Sequence, residues 1–334
     1  MSSPMPASDD SQRAQALGLI RAGRRFLLTG HQRPDGDVLG AQAALGNLLL
    51  ALGREVVIVN PDPAERRFDY LEGPLRFGVW DGVGLPDHDV CVLLDFSELS
   101  RTAGMAPLIA AAPSKKLVID HHLHHGSVWW DAAYVDLTAS ATGLLVYRLA
   151  RQLGVPLPPA AMRGVFTSLV TDTGWFKYSN TDPETLRVAA EALASGVDAT
   201  LIYDRLFQQR GMAHTRFVAN ILARTEYFAG GRLAVVDQPL SERFDSDEVD
   251  SDEVLDILRS VRNVEVVLFI RELSPSACKV SARSKTAYDV NHLARRFGGG
   301  GHRKAAGATL SRPLAEGREA LIQAALEGLD GGTA

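Results

Sequence analysis

Between residues 24 and 195, short apolar runs alternate with longer segments in which apolar residues recur at helical spacing. This alternation is typical of a mostly parallel β-sheet flanked by helices, because consecutive parallel strands need a long crossover between them. The sequence therefore predicts an α/β domain in this region. The predicted strands are residues 26–29, 55–60, 90–96, 116–120 and 166–170, and the predicted helices are residues 38–52, 141–153 and 183–194.

A second, smaller α/β domain is predicted to follow, because 334 residues exceed what a single core usually serves. A helical stretch over residues 199–228 leads into it, and the acidic segment 241–253 is predicted to be a solvated loop. Its predicted strands are residues 232–237, 264–272 and 277–283, and its helices are residues 252–261, 289–297 and 314–326. The predicted domain plan is a flexible start (1–20), a catalytic domain (21–195), a helical linker (196–229) and the second domain (230–330).

Charge and cysteine content limit the ligands and the compartment. A net charge of −5 argues against a protein that grips long nucleic acid, since that mode needs an extended basic face. Short anionic substrates need only a few local cations. Cys91 and Cys278 are too few for a disulfide framework. With no long apolar span and no basic, apolar leader, the sequence predicts a cytoplasmic protein without a membrane partner.

Acidic residues and histidines follow four of the predicted strands at the point where each strand ends. Because the carboxyl ends of parallel strands meet at one edge of a sheet, these side chains are expected to converge on one crevice. They are His31, Asp35 and Asp37 after the first strand, Asp95 after the third, Asp120, His121 and His122 after the fourth, and Asp172 after the fifth.

Four carboxylates in one crevice would repel one another strongly, and the four segments carry few lysines and arginines to offset this repulsion. Oxygen ligands mixed with imidazoles suit Mn²⁺, with Mg²⁺, Co²⁺ or Zn²⁺ as substitutes. Six potential ligands exceed what one ion with open positions needs. Two ions about 3.5–4 Å apart fit better, and such a pair activates water for attack on phosphorus.

Each segment has a plainer interpretation when it is taken alone. Asp95 could cap the helix that follows it, and Asp35 and Asp37, beside proline and glycine, could form an ordinary turn. His121 and His122 could be solvent-facing or core histidines, and with His124 and His125 they could form a histidine-rich loop. Four strand ends with the same ligand types favour a metal site over these separate explanations.

The residues then show a resemblance to a known family, the DHH phosphoesterase superfamily. The chain is most similar to its bacterial branch of bifunctional oligoribonucleases (nanoRNases) and pAp phosphatases. The matching catalytic segments are HQRPDGD (31–37), LLDFSELSR (93–101), IDHHLHH (119–125) and TDTGWFKYSNT (171–181). The segments KVSARSK (279–285) and GGGGHRKAAGATL (298–310) resemble its DHH-associated substrate-binding domain.

The resemblance implies a role for each residue of the first domain. His122 would position the scissile phosphate or donate a proton to the leaving oxygen, and Asp120 would orient an imidazole. Arg101 would be either a phosphate-side or a structural cation. The implied ligands are His31, Asp35 and Asp95 for one ion and Asp37, Asp95, His121 and Asp172 for the other, with Asp95 as the bridge.

In the second domain, the glycine run and the cations around it would form an anion pocket, because backbone N–H groups can approach an anion closely there. A glycine run by itself is also consistent with an ordinary flexible loop. His124 and His125 are predicted to be surface residues. The predicted substrate-binding residues are Arg283, Gly299, Gly300, Gly301, His302, Arg303 and Lys304.

The implied activity is that of a manganese-dependent hydrolase with its active site in the interdomain cleft. It would be a nuclease that converts short oligoribonucleotides to mononucleotides, and it would also remove the 3′-phosphate of pAp. The main alternative is a phosphodiesterase for cyclic or linear dinucleotides such as c-di-AMP, pApA or pGpG. A polyphosphate or pyrophosphate hydrolase and a non-catalytic nucleotide-binding module are weaker alternatives. The direction of digestion and a homodimeric assembly are left open.

Overall fold

The computed structural model describes residues 10–124, 126–242 and 251–330 of the chain. These residues form two compact units that meet in the sequence between Gln209 and Arg210. Residues 1–9, His125 and most of the predicted acidic loop lie outside the described residues. In the described parts of the chain, no helix is long and apolar enough to span a membrane.

The first unit is an α/β layer structure. Its sheet has the order β3-β2-β1-β4-β5-β6, and neighbouring strands pair in parallel throughout. The predicted strands at 26–29, 55–60, 90–96 and 116–120 are confirmed within two residues. The elements are α1 (Asp10–Ala22), β1 (Arg25–Thr29), α2 (Gly36–Ala51), β2 (Glu55–Asn60), β3 (Phe77–Val79), β4 (Val90–Leu94), α3 (Ala106–Ala111), β5 (Lys115–Asp120), β6 (Ala132–Val135), α4 (Thr142–Leu153), α5 (Pro159–Asp172), α6 (Pro183–Ala194) and α7 (Ala199–Phe207).

Both faces of this sheet are covered, which explains why its strands are nearly continuous apolar runs. Phe26 and Leu28 of β1 lie in one buried cluster together with apolar residues of α1, α2, α4, α5, α6 and α7. Leu27, which points to the other face, packs in a second cluster that contains Ile109 of α3. The alternation along β1 therefore separates two apolar layers.

The strand order of this sheet reverses next to β1. From β1 the chain first builds outward through β2 and β3, and it then returns to place β4 on the other side of β1. In open parallel sheets, ligands bind beyond the carboxyl ends of the strands at such a switch point. The loops that follow β1 and β4 contain His31 and Asp95.

Two local predictions for this unit are wrong. Residues 166–170 lie inside α5 and form no strand. This segment is buried on all sides, so its short apolar run carries no helical periodicity. The predicted flexible start at 1–20 is contradicted for residues 10–20, which lie in α1 with Ala16 and Ile20 buried against the core, and residues 1–9 lie outside the described residues.

Helices α2 and α5 cross at close range where two glycines face each other. A Cβ atom at Gly164 would lie 2.5 Å from the Gly40 carbonyl oxygen and 2.6 Å from the Ala44 nitrogen. Distances this short cannot be relieved by a side-chain rotation, because the neighbouring atoms belong to the backbone. The crossing matters for the site, since the first turn of α2 and the last turn of α5 both contribute predicted ligands.

We expect Gly164→Ala to lower the free energy of unfolding by about 1–3 kcal/mol, the usual cost of overpacking a core. Gly18→Ala is the matched control, because nothing lies within 4 Å of the added Cβ and Gly18 is in helix α1. That control should stabilise the protein by up to about 1 kcal/mol. Denaturant unfolding of the two variants measures the difference, and equal stabilities would contradict the close crossing.

The second unit contains a mixed sheet with helices on both faces. Its order is β11-β12-β10-β9-β8-β7, and only β8 and β9 pair in parallel. Helices α8 and α9 pack on one face, and α10 and α11 pack on the other. The elements are α8 (Met212–Ala223), β7 (Glu226–Phe228), β8 (Leu233–Gln238), α9 (Ser251–Ser260), β9 (Val266–Ser274), β10 (Ala277–Ser284), α10 (Val290–Arg295), β11 (Gly300–His302), β12 (Ala305–Leu310) and α11 (Leu314–Asp330).

The predicted helical stretch over 199–228 differs from the structure in two ways. It consists of two helices, α7 and α8, and its last residues form the edge strand β7. Strand β7 pairs antiparallel with β8, so it belongs to the second sheet. Helix α8 also lies in the second unit, which begins at Arg210.

Candidate active site

The predicted ligands of the first unit come together at the carboxyl edge of the sheet. His31 follows β1, Asp95 follows β4, and His121 follows β5. Asp35 and Asp37 lie at the first turn of α2, which starts from the same edge. The topology therefore brings imidazoles and carboxylates from separate chain segments into one site.

Asp95 lies at the centre of this site, and its side chain is buried. Its Oδ1 is 3.3 Å from Nε2 of His121, and its Oδ2 is 3.6 Å from Nε2 of His31. The residue has a φ of 71°, a left-handed conformation that costs a non-glycine residue about 1–3 kcal/mol. The Asp95 N–H donates to the Ile119 carbonyl over 2.9 Å and helps to hold this conformation. The carboxylate thus presents one oxygen to each of two histidines.

One group of potential ligands consists of His31, Asp35 and Asp95, whose ligand atoms all lie within 4.8 Å of one another. Oδ1 of Asp35 caps helix α2, because it accepts from the N–H groups of Asp37 and Val38 over 3.0 and 3.1 Å. Oδ2 of Asp35 lies 3.7 Å from Nε2 of His31. The turn interpretation and the ligand interpretation of Asp35 are therefore compatible, since each uses a different oxygen.

A second group consists of Asp37, His121 and Asp172, again within 4.8 Å. Nε2 of His121 is 3.4 Å from Oδ2 of Asp37 and 3.9 Å from Oδ2 of Asp172. A third group, Asp95 with His121 and His122, overlaps the second. Because Asp95 contacts both sets of residues, the arrangement suits two adjacent ions with a shared carboxylate.

The charges in the site shift the pKa values of its residues strongly. Burial and the nearby charge of Asp95 raise the pKa of Asp37 well above its usual range, and that of Asp172 to about 6. Burial favours a high pKa at Asp95, but the interactions with His121 and His31 outweigh it and hold that pKa well below its usual range. Burial lowers the pKa of His121, yet the carboxylates around it, first Asp95, raise it to about 11. The site therefore stabilises positive charge at its centre.

The orientation of the two histidines provides a test of whether the site fits a metal ion. Nδ1 of His31 lies 2.8 Å from the Gln32 carbonyl oxygen, and Nδ1 of His121 lies 3.0 Å from that of Ala139. A carbonyl oxygen only accepts, so each Nδ1 donates and each Nε2 is left to take a proton or a metal ion. Nε2 of His121 is buried and forms no hydrogen bond to any described residue. Metal-binding histidines adopt this orientation, and the residues fit a divalent ion.

Asp172 reaches the site from the end of a helix, and this placement corrects the predicted strand end. Helix α5 stops there because Gly174, Trp175 and Phe176 turn into the left-handed region, with φ values of 56°, 60° and 66°. The turn folds back so that Nδ2 of Asn180 donates to Oδ2 of Asp172 over 3.2 Å. Asn180 was not among the predicted site residues, although it lies in the TDTGWFKYSNT segment.

Two buried hydroxyl groups also contact the carboxylates and were not predicted. Oγ1 of Thr142 donates to Oδ1 of Asp95 over 2.8 Å. Oγ of Ser168 donates to Oδ1 of Asp37. Ser168 is a polar residue inside an apolar run. This is the one feature of the sequence that could have indicated a role for Ser168 in the site.

His122 lies beside the ligand groups with its side chain 38% exposed. Its Nδ1 donates to Oδ1 of Asp120 over 2.9 Å, and the same oxygen accepts the His122 backbone N–H. Burial lowers the pKa of His122, but the hydrogen bond to Asp120 and the charge of Asp95 raise it above the ordinary value. Asp120 thus orients an imidazole, namely that of His122.

Arg101 connects the loops that carry His31 and Asp95. Its guanidinium donates to the Asp95 carbonyl oxygen over 3.5 Å, and its own carbonyl oxygen accepts the Gln32 N–H over 2.8 Å. These contacts support the prediction that Arg101 is a structural cation, which holds the two loops together. They leave the phosphate-side role as a prediction.

The prediction that His124 lies on the surface is wrong. Its side chain is buried, its Nδ1 lies 3.1 Å from Oγ of Ser97, and its ring packs on Trp130 with a centroid separation of 4.8 Å. This residue therefore packs in the core next to β4. The sequence gave no clear signal for this burial, because His124 stands in a segment that contains three other histidines and only one apolar residue, Leu123.

In the second unit, the register of the sheet brings Arg283 and His302 to the same face. Arg283 of β10 lies opposite Ala305 of β12, and Ala305 lies opposite His302 of β11. Directly paired residues share a face, and strands are about 4.8 Å apart, so the two side chains rise from positions about 10 Å apart. The residue between them, Ala305, has a small side chain.

The second half of the glycine run is part of this sheet, and the first half leads into it. Gly300 and Gly301 lie in β11, paired with β12. A Cβ at Gly299 would lie 2.1 Å from the Gly307 carbonyl oxygen, so this position needs glycine for close packing. The exposed turn that follows is held to the segment 285–287, because Arg303 and Lys304 donate to the carbonyl oxygens of Ala287 and Lys285 over 3.0 and 3.2 Å.

Comparison with known proteins decides the family. The model described as "DHH family, N-terminal domain" matches residues 25–170, and the DHHA1 domain model matches residues 232–329. A relative from Thermus thermophilus, named bifunctional oligoribonuclease and PAP phosphatase NrnA, is 33% identical over 98% of this chain and 97% of its own length. The chain belongs to the DHH family. The resemblance seen in the sequence motifs is thereby confirmed.

Other members extend the comparison of this DHH protein. The Bacillus subtilis protein of the same name is 24% identical over 85% of this chain and 89% of its own length. The crystal structure of an exopolyphosphatase-related protein from Bacteroides fragilis superposes with a TM-score of 0.86, at 24% identity, over 97% of this chain and 96% of that one. This superposition shows that the two proteins share a fold.

Proposed function

We propose that this DHH protein is a manganese-dependent phosphoesterase that hydrolyses short oligoribonucleotides to mononucleotides and removes the 3′-phosphate of pAp. The observation that carries the proposal is the pair of carboxylate and histidine groups that meet at Asp95. The names of the Thermus and Bacillus relatives support this choice of substrates over cyclic or linear dinucleotides.

In this proposal His31, Asp35 and Asp95 hold one ion, and Asp37, Asp95, His121 and Asp172 hold the other. Two such ions, when bound, neutralise phosphate charge and activate water for attack on phosphorus. Mn²⁺ suits this mixture of carboxylates and imidazoles, with Mg²⁺, Co²⁺ or Zn²⁺ as substitutes.

His122 is proposed to act on the substrate directly. Its raised pKa keeps a larger fraction of the imidazole protonated near neutral pH, which suits a donor of a proton to the leaving oxygen. Asp120 fixes the ring through Nδ1, so that Nε2 is the atom left for the substrate. Arg101 remains either a phosphate-side or a structural cation in this proposal.

The second unit is proposed to bind the end of the substrate that is not being cleaved. Arg283 and His302 would contact a terminal phosphate or a base, and the exposed pair Arg303 and Lys304 would add positive charge nearby. Gly299, Gly300 and Gly301 would let the ligand approach the backbone.

The proposal also covers the setting in which the protein works. Short RNA fragments or pAp are its partners, and long nucleic acid and membranes are not. Both cysteines are free and buried, in keeping with a reducing compartment, and we therefore place the protein in the cytoplasm.

A substrate panel under Mn²⁺ separates this proposal from its alternatives. We would compare pAp, short RNA, long RNA, cyclic dinucleotides and pyrophosphate at equal concentrations. The proposal expects the highest kcat/KM on short RNA and pAp. Higher efficiency on a cyclic dinucleotide or on pyrophosphate would select the corresponding alternative.

We expect kcat/KM to fall with RNA length, from high values at two to five nucleotides to low values at about 24 nucleotides. A chain with a net charge of −5 gains little from extended phosphate contacts, so affinity depends on a few cations such as Arg283, Arg303 and Lys304. A ladder of RNA lengths at two salt concentrations measures this preference. Efficiency that rises with length, together with a steep loss on adding salt, would indicate an exonuclease for long strands.

A further inference from the structure

Helix α4 begins at the metal-ligand groups without a capping side chain of its own. Ala141 precedes the helix and has no side-chain oxygen to accept the first backbone N–H groups. Asp37 takes this role from another part of the chain, because Oδ2 accepts the Thr142 N–H over 2.9 Å and Oδ1 accepts the Gly143 N–H over 3.3 Å. The start of α4 therefore fixes the plane of the Asp37 carboxylate.

The side chain of Thr142 adds a contact to the other central carboxylate. Oγ1 donates to Oδ1 of Asp95 over 2.8 Å. This is the oxygen that lies 3.3 Å from Nε2 of His121, whereas Oδ2 lies 3.6 Å from Nε2 of His31. The hydroxyl thus helps to hold Oδ1 of Asp95 on the side of His121.

The position of Thr142 makes these contacts difficult to replace. The residue is fully buried, with 0% exposure, so solvent water has no direct access to the same position. An unmade hydrogen bond in this place would leave a buried carboxylate oxygen without its donor. Both contacts of Thr142 are to carboxylate oxygens that face His121, so they act on the second group more than on the first.

We propose that Thr142 is a positioning residue that orients the carboxylates of Asp37 and Asp95 together and thereby sets the affinity for the second ion of the proposed site, which is held by Asp37, Asp95, His121 and Asp172. The inference rests on the two-ion site of the proposed function. Thr142 would contact neither substrate nor ion, and its effect would pass through the two carboxylates.

Thr142→Val tests the hydroxyl, because valine keeps the branched shape and the backbone N–H but cannot donate to Asp95. Loss of an outer hydrogen bond to a metal ligand typically weakens metal binding about 10- to 100-fold. Thr142→Ser restores the hydroxyl and should recover most of the affinity. Thr167→Val is the matched control, since Thr167 is another fully buried threonine, and its hydroxyl bonds to Tyr70 Oη over 3.0 Å.

The measurement is a calorimetric titration of each metal-stripped protein with Mn²⁺, with circular dichroism to monitor folding. We expect two ions for the wild type and for Thr167→Val, and about 10- to 100-fold weaker binding of one ion to Thr142→Val. The Mn²⁺ concentration needed for half-maximal turnover should rise by a similar factor in Thr142→Val, and a higher Mn²⁺ concentration should restore most of the rate.

The outcomes separate this inference from the proposed function. Two ions bound by Thr142→Val with wild-type affinity would overturn the positioning role, and so would equal losses in Thr142→Val and Thr142→Ser. A wild-type protein that binds fewer than two ions would instead overturn the two-ion site. If Thr142→Val does not fold, Thr142→Ala removes the hydroxyl without introducing a second methyl group and provides the same comparison.

Discussion

Asp95→Asn is expected to reduce turnover of short RNA by at least about a thousandfold while the protein stays folded. A pair of bound ions contributes several kcal/mol to a phosphoryl reaction, and each 1.36 kcal/mol is about tenfold in rate. The asparagine side chain carries no charge and offers one acceptor oxygen in place of two. Its NH2 group would face either His31 or His121, whose Nε2 atoms now lie 3.6 and 3.3 Å from carboxylate oxygens. Both ion sites should therefore lose occupancy.

Elemental analysis, circular dichroism and initial rates together check this expectation. Asp136→Asn is the matched control, because Asp136 also follows a parallel strand, yet it pairs with Arg148 over 3.0 Å and with Arg13 over 3.5 Å. That control should keep its metal and its activity. Near-wild-type turnover of Asp95→Asn with two ions bound would show that Asp95 is not the bridge.

Arg283→Ala is expected to lower kcat/KM on short RNA about 10- to 150-fold with no change in metal content. This range corresponds to the loss of one charge-assisted hydrogen bond, about 1.5–3 kcal/mol. Arg283 lies in β10 between the buried residues Ala282 and Ser284, so its side chain projects from the opposite face of the sheet. Its removal should therefore leave the core of the second unit intact.

Arg296→Ala is the control for Arg283→Ala, because it removes the same positive charge from the second unit. Arg296 is an exposed arginine of the second unit that pairs with Glu327 over 2.8 Å. Its variant should retain wild-type kcat/KM. A loss of bound metal in Arg283→Ala would contradict the assignment of metal to the first unit and of substrate to the second, and an unchanged kcat/KM would remove Arg283 from the substrate site.

Most of the first sheet was predictable because its strands are buried on both faces. In the predicted strand 90–96, the residues before Asp95 are all apolar. The structure places β4 at these apolar residues, Val90–Leu94. The same pattern predicted β1, β2 and β5. By contrast, the short strands β3 and β6 were not predicted, because three or four residues are too few to show a period.

Burial alone did not distinguish a strand from a helix at residues 166–170. This segment of α5 is buried on every side because α2 and α4 pack against the helix. Asp172 was still correctly expected beside the other potential ligands, since its motif identified it. The backbone that delivers it is the end of a helix, and the left-handed turn at 174–176 could be recognised only in the structure.

The sequence by itself determined which residues are available for metal chemistry, because the ligand types stand in short motifs at the ends of apolar runs. Only the tertiary structure decided which groups orient them. Thr142 lies 105 residues from Asp37 and 47 from Asp95, and Ser168 lies 131 residues from Asp37. Local patterns encode backbone type and burial, whereas hydrogen bonds between such distant residues depend on how the elements pack, here on the crossing of α2 and α5 and on the start of α4.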